Sequence, residues 1–254
     1  MSARSSIDSE RIRSYIPAPQ EGPSGEPEVL QGLAWLASRL AAGSPRGVVL
    51  FPTLRQLEMS VFRKVLGPAG VRHAKKHKSF ALPVEGGSVT VAALSEQQMR
   101  STGLWDAALL LWPTRSMFNA IDRFGTPPDF VAIAWLHEEG AAWERELGLT
   151  PLGAARSEQP EPAVLSAALQ SLSNMVNKST GIAHPSDEAA FHEMLHLLHA
   201  GGEALDPEFA CRKLIALGWR MEHAQEVAEK VRRFMGGHRP QRRSPSPWRE
   251  DILD

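Results

Sequence analysis

The chain reads as an α/β protein: a small Rossmann-like, doubly wound sheet domain followed by an all-helical C-terminal domain. Three observations predict this. Between residues 46 and 150, short continuous apolar runs alternate with amphipathic segments of helical period. Those runs lack the polar alternation of half-exposed strands, so they fit strands covered on both faces. Beyond residue 163, every apolar segment repeats at helical spacing.

Residues 1–27 are rich in Ser, Pro, Glu and Gly. They carry too little apolar surface to offset ordering entropy, which predicts a flexible arm. Leu30, Leu33, Ala34, Ala37 and Leu40 then predict a helix over residues 28–42, ended by Gly43-Ser44-Pro45. The run 47–51 is a buried strand, and a helix follows over 54–66, stopped by Gly67-Pro68. Residues 79–84 and 88–94 flank Glu85-Gly86-Gly87, a hairpin signal. Two more strands are expected over 107–112 and 130–135, with helices over 115–123 and 137–147. The sheet is therefore expected to have four or five strands and one hairpin.

The expected domain limits are 28–150 for the α/β part, a Pro-rich linker over 151–162, a helical domain over 163–237 and a flexible tail over 238–254. Within the helical part, helices are expected over 163–176, 187–200, 207–217 and 222–235. Ser186 is the expected N-cap of the second, and Asp206-Pro207-Glu208 is a strong start signal for the third.

Composition excludes several classes. The 254 residues hold 28 Lys+Arg against 29 Asp+Glu, a net charge of -1, which argues against a chain whose main task is coating nucleic acid. One cysteine, Cys211, excludes an intrachain disulfide. No apolar run is long enough to span a bilayer and the N-terminus lacks the apolar core of a signal peptide, so the expectation is a cytoplasmic chain with no membrane partner.

Two segments share one order: Leu50-Phe51-Pro52-Thr53 and Leu111-Trp112-Pro113-Thr114. Each leaves a strand and enters a helix. Ligands of open α/β sheets sit at the carboxyl ends of strands, where helix N-termini offer free N–H groups. Arg55 and Arg115 fall in the first helical turns, where a cation opposes the helix dipole and a bound anion would relieve the conflict. Thr53, Arg55, Thr114 and Arg115 are therefore the candidate residues of an anion or phosphate site. Trp112 and Trp135, at strand ends, are candidates to line the same cleft. No GxGxxG, GxxxxGK[ST] or GxSxG occurs, so no standard NAD, FAD, ATP or acyl-enzyme site is indicated and the cofactor is left unknown.

His192-Glu193-Met194-Leu195-His196 is an HExxH run, with His199 extending the stripe. On a helix it sets two imidazoles one turn apart beside a glutamate. The stretch resembles the active-site helix of zinc metallopeptidases, and that resemblance implies a zinc-bound water with Glu193 as general base. The match covers only residues 192–199. The metzincin continuation would need Gly where His199 stands and His where Gly202 stands, and no third ligand sits in a recognisable motif. The other reading is an amphipathic helix whose core stripe is Phe191, Met194, Leu195 and Leu198.

Basic zones occur at 72–78, read as a solvated loop, and at Lys230, Arg232, Arg233, His238, Arg239, Arg242 and Arg243. The leading expectation is a non-catalytic binding or regulatory protein with a protein partner or small anionic ligand and no bound metal. A zinc metallopeptidase using residues 192–196, and a nucleic-acid-associated protein using the basic zones, are the alternatives.

Overall fold

The computed structural model describes residues 12–44, 46–99, 104–122, 128–154, 161–178 and 180–240. They fall into two compact units. One takes the described residues up to Ala141 together with Leu149–Ala154; the other takes Ala142–Gly148 and the described residues from 161 onward.

The first unit is built on a seven-stranded sheet: β1 (Arg13–Ile16), β2 (Gly47–Phe51), β3 (Ser79–Val84), β4 (Gly87–Ser95), β5 (Ala107–Leu111), β6 (Asp129–Ile133) and β7 (Thr150–Pro151). The order across it is β3-β4-β2-β5-β6-β1-β7. Among the described residues only the β3–β4 hairpin is antiparallel; every other pair is parallel. All five residues of β2 and of β5 are buried, as continuous apolar runs require.

Helix α1 (Glu26–Ala41) and helix α2 (Ser60–His77) supply the residues that pack on one face, where Val29, Leu33, Leu36, Phe62 and Val71 meet Val49, Leu109, Val131 and Ile133. Gly32 lets α1 approach the strands closely: a Cβ there would stand 2.7 Å from Leu109 Cδ1. Past β4 the chain forms α3 (Glu96–Met99), then α4 (Arg115–Asp122) after β5, and α5 (His137–Leu147) after β6. In α4, Phe118 packs against Phe130 with ring centroids 6.0 Å apart.

Several expectations are corrected. The segment 1–27 is not a flexible arm throughout: Arg13–Ile16 is an inner strand, paired with β6 on one side and β7 on the other. Tyr15 and Ile16 are buried, and Phe130 N–H donates to the Ile12 carbonyl at 2.8 Å. Composition averaged over 27 residues hides a strand of four. The sheet has seven strands where four or five were expected, because β1 and the two-residue β7 are too short to carry a period. Thr150–Pro151 lies inside the segment read as linker; Pro151 is tolerated on an edge strand, where it owes no ladder donor. The helix expected over 28–42 begins two residues earlier, at Glu26.

The helix expected over 54–66 is split into a 3-10 turn, Leu54–Glu58, and α2, which runs on to His77. Gly67 breaks its geometry (φ 69°, ψ 163°), and Pro68 restarts it at a position where a missing N–H costs nothing. Residues 72–77 of the basic run are thus helical, held by the buried Val71 and Ala74, and Lys78 closes the helix in the left-handed region. Residues 1–11, 155–160 and 241–254, parts of the expected arm, linker and tail, lie outside the described residues.

The second unit is helical: α6 (Ala163–Met175), α7 (Pro185–Ala200), α8 (Pro207–Ala216) and α9 (Met221–Met235). Asp206 caps α8 by accepting from Glu208 N–H and Phe209 N–H, both at 2.9 Å. The start of α7 is corrected: His184, not Ser186, is the N-cap, and Pro185 takes the first helical position. Its core holds Leu169, Leu172, Phe191, Leu195, Leu198, Leu214, Val227, Val231 and Phe234. No helix among the described residues is long and apolar enough to cross a membrane.

Candidate functional site

From the carboxyl end of β2 the chain turns toward β3 and β4; from the carboxyl end of β5 it turns the other way, toward β6. The two strands are adjacent and parallel, with Leu50 opposite Leu110. Their divergence is a topological switch point, the place where open α/β sheets leave a crevice for a ligand. The two Pro-Thr segments therefore stand side by side at this switch point, and Thr53, Arg55, Thr114 and Arg115 are all exposed.

Their partners differ. Gln56 Oε1 accepts from Thr53 N–H at 3.0 Å, the return bond of a capping box. Thr114 caps α4: Met117 N–H donates to its Oγ1 at 3.3 Å. Thr114 Oγ1 and Ser116 Oγ in turn donate to Glu96 Oε2, at 3.2 and 2.9 Å. A carboxylate of the chain itself thus occupies the start of α4, where an anion had been expected. Arg115 is engaged within the chain. The other helix starts on this edge are treated alike. Glu28 accepts from Gly25 N–H at 2.7 Å, Gln98 from Ser95 N–H at 3.1 Å, and Glu139 from Trp135 N–H at 2.7 Å. Internal Glu and Gln side chains take up the orphan donors that bind phosphate in nucleotide-binding sheets.

Trp112 sits where β5 ends. It is a non-glycine residue in the left-handed region (φ 49°), a conformation that costs energy for a bulky side chain. Its indole is only 7% exposed, and Nε1 has no hydrogen-bond partner among the described residues. Trp135, after β6, meets it edge-on at 5.0 Å, and Phe62 does so at 6.2 Å. Phe51, at the end of β2, packs on Phe62 at 5.2 Å. An aromatic cluster therefore floors the switch point. Trp112 and Trp135 were legible as strand-end aromatics. Glu96 was not, because it reaches Thr114 across 18 residues. The caps Gln98 and Glu139 had a local signal: each stands three residues beyond the N–H it accepts from, Ser95 and Leu136.

The HExxH helix is α7. Phe191, Met194, Leu195 and Leu198 are buried, and His192 and His196 flank that stripe. His196 Nε2 donates to the Pro240 carbonyl at 2.8 Å, and its ring meets Phe234 edge-on at 5.0 Å. A nitrogen that donates to a carbonyl carries its proton and offers no lone pair to a metal. Glu188 pairs with Lys230, which also lies 3.7 Å from Glu226, and Glu208 pairs with Arg145 at 3.6 Å. Among the described residues no three His, Cys, Asp or Glu side chains converge as metal ligands. Residues 238–240 of the expected tail are held on the helices: His238 N–H donates to the Arg233 carbonyl at 3.0 Å, Arg239 stacks over Phe234, and Pro240 accepts from His196.

Burial lowers the pKa of His192 from its ordinary value of 6.5; Glu188 opposes the shift, while Lys230, His196 and His238 add to it. The sign follows. Below pH 6.5 the unfolded chain takes up a proton that the folded chain resists, so this contribution to stability is present above pH 6.5 and lost as pH falls toward the folded value. Urea unfolding between pH 7.5 and 5 is expected to show the wild type losing stability relative to His192→Gln. Parallel curves would refute the assignment.

Residues 161–254 are similar to a family described as "Domain of unknown function (DUF1889)". No curated protein and no solved structure matches the chain.

Proposed function

We propose that this chain is a binding or regulatory protein whose α/β unit takes a small ligand in the crevice between the carboxyl ends of β2 and β5. One observation carries the reading: Trp112 combines a costly left-handed backbone with a buried, unpartnered Nε1 at the switch point. Such strain and such an orphan donor persist where a site is built for something else to complete it. The ligand accordingly brings a hydrogen-bond acceptor for Trp112 Nε1.

Charge narrows the class further. Glu96 at the start of α4 repels an anion on that side. Thr53 and Arg55, on the β2 side, remain exposed, and Glu58, the carboxylate of that turn, is taken up by Lys75. The anionic group of the ligand belongs there, so the four-residue anion site expected from the repeat is reduced to Thr53 and Arg55.

Phosphate serves as the probe. Titrated into the protein, it is expected to raise Tm by mass action, by about 1.4 kcal/mol of stability when present at roughly ten times Kd. Arg55→Ala should abolish the response and Arg115→Ala should keep it. Trp112→Phe should remove any change in tryptophan emission on binding. A response that survives in Arg55→Ala, or no response at all, defeats the reading.

A further inference from the structure

A second feature of the α/β unit lies along α2, beyond the 3-10 turn that follows Thr53. The break at Gly67 divides α2 into two half-helices, and beside it opens a cleft of about 610 Å³. Arg63, Arg72, Lys75 and Lys76 line it, with Pro68 and Val71 as its apolar residues and Glu58 as its one carboxylate. Arg63, Arg72, Lys75 and Lys76 are all exposed. Glu58 pairs with Lys75 and is thereby held below the usual carboxylate range, with Arg63 and Arg55 adding to the effect. No ion pair to Arg63, Arg72 or Lys76 occurs among the described residues.

Arg72, Lys75 and Lys76 stand three and four residues apart on a helix pinned to the core by Val71 and Ala74. Side chains so spaced present their Cβ atoms about 5–6 Å apart on one face. Helix-dipole compensation explains Lys75 and Lys76 in the last turn, but not Arg72, which stands one turn earlier. A concave, rigid row of cations fits a chain of repeating negative charge better than a flat surface. Of the two apolar residues that line the cleft Val71 is buried, which leaves Pro68 as the one exposed apolar side chain there, too little to anchor the cleft in a bilayer.

We infer that this cleft binds the phosphodiester backbone of a nucleic acid. It contains no aromatic side chain on which a base could stack, so the contact is to phosphates and is independent of sequence. With one of the four cations spent on Glu58, three phosphates are neutralised. The logarithm of affinity then falls against the logarithm of salt with a slope of roughly −2 for a single strand to −3 for a duplex. That is a loss of roughly 20- to 40-fold between 50 and 200 mM salt.

The test is fluorescence anisotropy of the full chain with labelled single-stranded and duplex 20-mers across that salt range. The triple variant Arg63→Gln, Arg72→Gln, Lys76→Gln is expected to lose most of the affinity at 50 mM and to flatten the slope toward zero. The control Lys64→Gln, Arg115→Gln, Lys178→Gln removes the same charge elsewhere and should retain both. Since all three cleft positions are exposed, Tm should be unchanged. The proposal is overturned by absence of binding at 50 mM salt or by equal slopes in the two triple variants. It is also overturned if polyglutamate displaces the oligonucleotide as well as unlabelled oligonucleotide does, which would mark an acidic-protein surface. Displacement by micromolar tripolyphosphate would instead assign the cleft to a free polyphosphate.

Discussion

Trp219→Ala is expected to destabilise the helical unit by about 3–5 kcal/mol, the range for emptying a buried tryptophan site. Trp219 stands in the turn between α8 and α9, is 1% exposed, and is among the largest fully buried side chains. Its Nε1 donates to Ser173 Oγ of α6 at 3.0 Å, and Ser173 is itself buried. The substitution removes the indole volume and leaves the hydroxyl without its donor. Trp219→Phe keeps most of the volume and loses chiefly the hydrogen bond, so its cost should be smaller, about 1–3 kcal/mol. Urea unfolding followed by far-ultraviolet circular dichroism measures both. A cost below about 1 kcal/mol for the alanine variant would mean that the turn is not the anchor described.

A comparable loss is expected in the sheet. Asp122→Ala should cost about 3–5 kcal/mol, because it strands a largely buried charge. Asp122 Oδ1 lies 3.4 Å from Arg13 Nη2, and the two side chains are 2% and 15% exposed. Arg13 opens β1, and its Nη1 has no hydrogen-bond partner among the described residues, so the guanidinium leans heavily on this carboxylate. The double variant Arg13→Met, Asp122→Leu removes both charges and should recover most of the loss. The comparison separates an unpaired charge from a lost packing contact. If the double variant is no more stable than Asp122→Ala, the ion pair is not the cause.

These two sites mark different degrees of legibility. Trp219 follows Gly218 between two helical periods, so its role in packing a turn can be read locally. The Arg13–Asp122 pair spans 109 residues and stands on a strand inside a segment whose composition reads as disordered. The candidate ligand site divides in the same way. The repeated Pro-Thr exits and the strand-end tryptophans are visible along the chain. That the two exits are neighbours, that the chain diverges there, and that Trp112 is strained with an unpartnered indole depend on strand order. Strand order is a property of pairing between segments distant in sequence.

The sequence by itself determined the α/β class, the β3–β4 hairpin, the helical C-terminal part, the cap at Asp206 and the core stripe of α7. Each rests on a period or a cap completed within a few residues, where the chain has little loop-closure entropy to overcome. Tertiary structure alone decided that residues 13–16 belong to the sheet and that α2 continues past a Gly-Pro stop. It alone decided that Glu96 closes the start of α4, and that His196 donates its proton to Pro240. In each of these the deciding partner lies far along the chain: β6 for β1, the strands for Val71 and Ala74, Thr114 for Glu96, and the segment after α9 for His196. Burial against that distant partner outweighs the local preference, and local preference is all that a period, a cap or a composition can report.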